Sequence, residues 1–426
     1  MVDTKQASDI TKLIQWANCN NATIVPLGGN TNLVRACDIE FTASNQASLI
    51  IYLRYTHRQL DYDPATKQIT CSPNITMAEL HDYCDSIHRR WDVHFSALSA
   101  TIGGIMSTNA GGEQSKASKH LVALNIIDGL GKNQQLKADV HQTHSMIPKY
   151  GTATQGLCGF ITSIKLQTQP QWLDTCSAIA HVPLPDITAY RHHVNEVSQG
   201  QLVACELIDH ECLDAQDQLT NETNPSSMML LMKFATPHQQ LDLDKLWLSL
   251  AEHYPNIFDT MQLSTSQTQE EDFWHMRHEV SDANRRWAKS NDMRYIGYDI
   301  GVPKAALHNI IPIIREMLSS IDGRLFAFGH SMQSTSHDTM HINIALPSSS
   351  TLSQDELSKQ LMTRLHAFDI QMAAEHGGLG NKSINDTLAC LTSNEKQDLV
   401  SYLTKMDPHD TFRKDIKQKL RLSVLT

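Results

Sequence analysis

Three short stretches late in the chain carry side chains suited to acid, base and metal chemistry: Gly329-His330, His341-Ile342-Asn343 and Glu375-His376-Gly377. A strand is expected over 340–346, turning His341 and Asn343 to one face and Ile342 and Ile344 to the other. Glu375 and His376 are expected at the end of a helix that starts at Asp355. Two imidazoles and one carboxylate form a divalent-metal set with positions left open for substrate oxygens. The other reading is that this His pair, in a chain with 22 His, consists of unrelated packing residues. His337 and His341 also stand at i, i+4, but Asp338 rather than Glu follows His337, so the pair is not a zincin motif.

The first half offers backbone rather than side-chain chemistry. Residues 24–33 read Ile-Val-Pro-Leu-Gly-Gly-Asn-Thr-Asn-Leu, a short apolar strand followed by small polar residues. Residues 100–112 read Ala-Thr-Ile-Gly-Gly-Ile-Met-Ser-Thr-Asn-Ala-Gly-Gly. Glycine lets backbone press against a ligand, and successive N–H groups in such loops form a nest for phosphate oxygens. Two loops of this kind on one domain suit a dinucleotide; taken singly, each is also a tight turn serving chain reversal. Gly129-Leu130-Gly131-Lys132 lacks the third Gly of a Rossmann fingerprint, and Gly380-Asn381-Lys382-Ser383 has Asn where a P-loop has Gly. Both of those nucleotide-binding classes are thereby disfavoured.

Taken in order, Pro26-Leu27-Gly28-Gly29-Asn30-Thr31-Asn32, then Thr101-Ile102-Gly103-Gly104 with Asn109-Ala110-Gly111-Gly112, then Gly156-Leu157-Cys158-Gly159-Phe160-Ile161, resemble the FAD-binding domain of the D-2-hydroxyacid dehydrogenases. That family includes D-lactate and D-2-hydroxyglutarate dehydrogenases and the glycolate oxidase flavin subunit, within the vanillyl-alcohol-oxidase fold. The resemblance runs through nearly the whole chain. It implies an α+β protein: a two-lobed FAD-binding domain with a substrate (cap) domain built from an antiparallel sheet and helices. It also implies FAD contacts at Pro26, Gly28, Gly29, Asn30, Thr31, Asn32, Thr101, Gly103, Gly104, Asn109, Gly111, Gly112, Gly156, Gly159 and Ile161. No His stands in the first Gly loop, so the flavin is expected to be held without a covalent bond.

Carried over residue by residue, the resemblance puts His330, His341 and Glu375 at a divalent metal (Zn, Mn or Fe). It puts Asn343 and Arg277 at the substrate, Arg277 on its carboxylate, and His376 in the role of base. The implied reaction oxidises a small D-2-hydroxy acid to the 2-oxo acid, with hydride passing to flavin N5. Electrons then leave for a quinone, an electron-transfer flavoprotein or another carrier. Arg277 read without the resemblance is a solvated charge on a helix face.

The chain also departs from the family. Four extra residues separate His330 from His341, Gln155 replaces a Glu, and Leu379 replaces a Gly, although Lys382 is in register. Gly297 stands where a basic residue is usual, which leans away from a dicarboxylate substrate unless Arg294 reaches in. These changes fall more on the substrate side than on the Gly loops. The alternatives are therefore a catalytically degenerate FAD-binding subunit of the same fold, or a flavin-free metal-binding module.

The elements that must position these residues follow from periodicity. A helix over 8–18 behind a Ser8 cap leads into the strand before Gly28, and Thr76 with Glu79 forms a capping box. From about 173 strands and helices alternate without Gly-rich loops, and a long amphipathic helix spans about 270–289. The expected division is 1–172 for FAD, 173–383 for substrate and metal, and 384–426 as a helical segment packing back on the first domain. A net charge of −11 and a sequence pI near 6.0 disfavour a nucleic-acid partner. Nine Cys without a C-x-x-C pair suit a reducing compartment. With no apolar leader and no membrane-length run, a cytoplasmic protein is expected, its oligomeric state open and a homodimer included.

Overall fold

The computed structural model describes residues 1–31, 37, 49–137, 152, 154–220, 223–331, 336–372 and 392–425. The chain forms two compact units, one comprising Met1–Pro170 with Lys382–Thr426 and the other Gln171–Asn381.

The first unit holds two sheet lobes. β1 (Val2–Thr4), α1 (Ala7–Cys19), β2 (Thr23–Pro26) and β3 (Ile50–Tyr55) build a parallel sheet in the order β1-β3-β2. Helix α1 buries Ile10, Ile14 and Ala17 against it. Its N-cap is Gln6, not Ser8, because the chain is already helical at Ala7 and Ser8 falls in the first turn. β4 (Leu60–Asp63) and β5 (Gln68–Cys71) open the second lobe, followed by α2 (Met77–Ser86), β6 (Arg89–Arg90) and α3 (Ile102–Thr108). The expected capping box at Thr76 and Glu79 is present. β7 (Leu121–Ile127), β8 (Asn133–Lys137), β9 (Phe160–Gln167) and β10 (Gln169–Pro170) complete it. The main sheet is antiparallel in the order β4-β5-β9-β7-β8, while β6 and β10 pair separately.

Two C-terminal helices, Ser393–Met406 and Lys414–Leu425, belong to this unit, where Leu399, Leu403, Ile416 and Leu420 pack on Leu157 and Cys158. Between them Phe412 bridges to Ile24 beside β2. The turn is held by Asp407, whose carboxylate accepts from Thr411 N and Phe412 N at 2.9 Å each and pairs with buried Lys417. Gly129 is required there, since a Cβ would collide with Asp407.

In the second unit, β11 (Asp174–Pro183), α4 (Ile187–Val197), β12 (Leu202–Asp209), α5 (His210–Asp214), β13 (Ser227–Thr236), α6 (Asp244–His253), α7 (Pro255–Phe258) and β14 (Gln262–Leu263) come first. They are followed by α8 (Gln267–Ser290), β15 (Met293–Pro303), α9 (Leu307–Ser319), β16 (Arg324–His330), β17 (His337–Pro347), α10 (Gln354–Leu365) and β18 (Gln371–Met372). The strands form one eight-stranded antiparallel sheet, β14-β11-β13-β12-β16-β17-β15-β18. Residues of α4, α6, α9 and α10 cover one face through Tyr190, Leu246, Ile310 and Leu361. Helices α5 and α8 cover the other through Cys212, Leu213, Phe273, Trp274 and Val280. Among the described residues, no helix is long and apolar enough to cross a membrane.

Candidate functional site

Strands β12, β16, β17 and β15 are neighbours, and their register sets a row of polar side chains across the face under α8. Glu206 stands opposite His330, Phe328 opposite His341, His341 opposite Asp299, and Asn343 opposite Gly297. Side chains alternate along a strand, so this row shares a face with Ile208, Phe326, Phe328 and Ala345, while Ile342 and Ile344 enter the opposite core. The four extra residues after His330 do not disturb this placement. β16 ends at His330 and β17 starts at His337, and the ladder sets His341 opposite Phe328.

The rings of His330 and His341 lie edge to face, with centroids 5.4 Å apart. His330 Nδ1 is 3.0 Å from Glu206 Oε1 and 3.1 Å from Oε2, and His341 Nδ1 is 3.2 Å from Asp299 Oδ1. Both carboxylates are fully buried. Arg277 also approaches His330 Nδ1, at 3.4 Å, but the shorter contact to an anionic acceptor governs the tautomer. At His330 the carboxylate on Nδ1 draws the ring proton there and leaves the lone pair on Nε2, the arrangement that outer carboxylates give metal-binding imidazoles. Among the described residues, the two imidazoles are the donors of the expected metal set that the sheet brings side by side.

Arg277 is not a solvated charge. It sits on the buried side of α8 with Phe273, Trp274 and Val280, retaining 6% of its surface. Its Nε donates to Glu206 Oε2, and its guanidinium lies over the Phe328 ring, 5.0 Å from the centroid. Asn343 is held loosely, its Nδ2 3.4 Å from the carbonyls of Phe326 and His341. Among the described residues, a Cβ at Gly297 would stand 3.0 Å from Asn343 Oδ1 and within 4 Å of no other atom outside its chain neighbours.

Glu375 and His376 lie outside the described residues. The expectation that they end the helix from Asp355 does not hold: α10 stops at Leu365, and β18 intervenes, pairing Met372 with Ile300 beside Asp299. Glu206 and Asp299 were missed from the sequence. Their signal is an acid inside a near-continuous apolar strand, in Ala204-Cys205-Glu206-Leu207-Ile208 and Tyr298-Asp299-Ile300, where a charge must have a partner.

The first unit brings the expected flavin segments together. Thr101 Oγ1 accepts from Gly29 N at 3.3 Å and from Gly104 N at 3.4 Å, joining the first loop to the second. Gln155 N donates to Ser107 O, and Gly156 faces the Pro26 ring, bringing in the third. Asn30, Asn109 and Gln155 adopt left-handed conformations, and Asn109 Oδ1 accepts from Ser118 N at 2.9 Å. Residues 102–108, expected as loop, form α3, capped by Thr101. Several of these glycines also pack closely on the chain: a Cβ on Gly103 would meet Pro73 at 2.6 Å, one on Gly112 the His94 backbone at 2.7 Å, and one on Gly159 the carbonyl of Ile127 at 2.6 Å.

Gly28 likewise packs on Thr101, Gly111 bridges to Lys116, and Ile161 pairs with Ile126. Thr31 is described without a regular element, and Asn32 lies outside the described residues. Around these segments the side-chain oxygens of Ser72, Asn74, Thr152 and Gln155 are buried without a hydrogen-bond partner among the described residues. Buried polar atoms of this kind fit a polar ligand such as FAD at the convergence of the loops.

Comparison with known proteins gives the family of the two units. The FAD binding domain family matches residues 1–137, and the C-terminal domain of FAD linked oxidases matches 175–381. D-2-hydroxyglutarate dehydrogenase of Stutzerimonas stutzeri (strain A1501) is 22% identical over 405 residues, covering 88% of this chain and 82% of that protein. Mitochondrial D-2-hydroxyglutarate dehydrogenase of Danio rerio is 21% identical over 398 residues, covering 89% and 71%. D-lactate dehydrogenase of Archaeoglobus fulgidus is 20% identical over 265 residues, covering 59% and 57%. A solved structure of alkyldihydroxyacetonephosphate synthase shares the fold with a TM-score of 0.70 at 13% identity, covering 97% of this chain and 76% of that one. The chain belongs to the FAD-linked oxidases as a divergent member, a vanillyl-alcohol-oxidase-type FAD-dependent oxidoreductase.

Proposed function

We propose that this enzyme oxidises a small D-2-hydroxy monocarboxylate to its 2-oxo acid. In this reading the first unit holds FAD without a covalent bond, and His330, His341 and Glu375 hold a divalent cation (Zn, Mn or Fe). The observation that carries the reading is the buried row Glu206, His330, His341 and Asp299, with Arg277 and Asn343 on the same face. When bound, FAD would supply a hydride acceptor for substrate C2, and the cation would supply a Lewis acid for the hydroxyl and carboxylate oxygens.

The chain's own residues do the rest. A guanidinium carries N–H groups on more than one edge, so Arg277 can hold Glu206 through Nε and present its other donors to the substrate carboxylate. Asn343 turns its amide toward the substrate oxygens. His376 accepts the hydroxyl proton at a ring nitrogen as the carbonyl forms, a step suited to a group that titrates near neutrality. Gly297 carries no cation to the face of Asn343, where the resemblance expects one, and this favours a monocarboxylate over a dicarboxylate. Electrons then pass to a quinone, an electron-transfer flavoprotein or another carrier, and the scattered Cys support a cytoplasmic setting.

The second reading, a degenerate FAD-binding subunit, draws on the same Gly297. An anaerobic visible spectrum, recorded before and after D-lactate, D-2-hydroxybutyrate and D-2-hydroxyglutarate are added with Mn2+ present, separates the two. Bleaching of a yellow protein by a monocarboxylate supports the enzyme; a yellow protein that no acid bleaches supports the subunit.

A further inference from the structure

We propose that Glu206 is a positioning residue that ties the substrate-carboxylate side of the pocket to its cation side. The inference rests on the function proposed above. The carboxylate lies within 3.0 and 3.1 Å of His330 Nδ1 through its two oxygens, and its Oε2 also accepts from Arg277 Nε. One fully buried side chain therefore fixes the tautomer and tilt of an imidazole and the orientation of a guanidinium.

The fold does not need an acid at this position. Glu206 shares its strand face with Ala204 and Ile208, which pack against α8 as plain apolar residues. A buried ion pair is weak evidence of stabilisation, because desolvation opposes the Coulomb attraction and an apolar replacement is often no worse. Placing a charged triad of Glu206, Arg277 and His330 beside the apolar Ala204, Ile208 and Phe328 is explained by what the triad orients. Asp299 stands beside His341 in the same way, and among the contacts of the described residues it is Glu206 that touches both an imidazole and the arginine.

The test uses the FAD-loaded protein with Mn2+ alone as the metal probe and D-lactate as substrate. Glu206→Gln is expected to weaken Mn2+ binding by about 10- to 100-fold, the usual cost of losing an outer partner of a metal-binding His. KM for D-lactate should rise together with the Mn2+ dissociation constant, while FAD content per chain stays at the wild-type level. Because the lone amide leaves Arg277 buried without its anion, Glu206→Gln combined with Arg277→Met serves as the charge-neutral control. This double variant should still bind Mn2+ as weakly as Glu206→Gln, whereas Arg277→Met alone should stay within a few-fold of wild type in Mn2+ affinity.

Wild-type Mn2+ affinity and KM in Glu206→Gln would overturn the role of Glu206, as would restored Mn2+ affinity in the double variant. A wild-type protein that binds no Mn2+ and oxidises no hydroxy acid refutes the functional reading itself, and this inference with it.

Discussion

Glu206 Oε1 lies 3.0 Å from His330 Nδ1, and the same carboxylate pairs with Arg277. Because β12 and β16 are adjacent and Glu206 stands opposite His330, this contact is a consequence of sheet register. A one-residue slip of either strand would turn one partner into the opposite core. The site is in this sense built by the ladder, and α8 closes it with Arg277.

His341→Ala removes an expected ligand and opens the contact to Asp299. Outer partners of metal-binding His already cost 10- to 100-fold, so loss of the imidazole itself is expected to lower kcat/KM by about 100-fold or more. Flavin content should be unchanged, because His341 belongs to the second unit and the Gly segments to the first. Steady-state kinetics and the flavin absorbance of the purified variant read the two effects separately.

Arg277→Lys keeps the charge but loses the planar fork and the packing over Phe328. Losing a charge-assisted hydrogen bond to substrate is worth about 1.5–3 kcal/mol, or roughly a 10- to 100-fold rise in KM. Initial rates over a range of D-lactate concentrations check this, and an unchanged KM would remove Arg277 from substrate recognition.

Much of this was legible in the sequence, for reasons that differ between residues. His341 and Asn343 alternate with Ile342 and Ile344, and that period placed them on one strand face, as found. The Gly segments were legible as a set because their order matches a family pattern. Their individual roles were not, because sequence cannot distinguish a glycine facing a ligand from one facing Pro73 or the His94 backbone. Glu206 and Asp299 were hidden because their partners are far along the chain and meet only through strand pairing. Ser8 was misjudged as a cap because a hydroxyl near a helix start does not reveal where helical geometry begins.

Gly103→Ala should destabilise the first unit. The added methyl would stand 2.6 Å from Pro73 Cβ and 3.0 Å from its carbonyl, and the backbone of that segment must shift to relieve the overlap. Overpacking of this kind costs about 1–3 kcal/mol, which lowers the unfolding midpoint and weakens flavin retention. Differential scanning calorimetry with a flavin-release assay measures both, and a wild-type midpoint would show that the segment yields without cost.

Acidification should weaken the first unit through two histidines. Burial holds the imidazoles of His81 and His120 below the usual histidine range; His94 adds to the effect at His81, and Lys119 and Arg90 add at His120. A base whose native pKa is lowered takes its proton more readily when unfolded. Its stabilising contribution is thus complete above the ordinary value of 6.5 and is lost as pH falls below it. The midpoint should therefore drop between pH 7.5 and 5, by roughly 2–4 °C for each kcal/mol lost. The double substitution His81→Gln with His120→Gln should flatten the profile, and an identical profile in the variant would assign the acid sensitivity to other groups.

The central claim is that a D-2-hydroxy monocarboxylate reduces the flavin with the help of a divalent cation. The most direct measurement is the anaerobic single-turnover rate of flavin bleaching by D-lactate, compared with D-lactate deuterated at C2, for chelator-treated and Mn2+-reconstituted protein. Bleaching that is slowed by deuterium and lost after chelation, then restored by Mn2+, is the predicted result. A flavin that stays oxidised with every acid offered, or one bleached at the same rate whether or not the cation is present, would contradict the account.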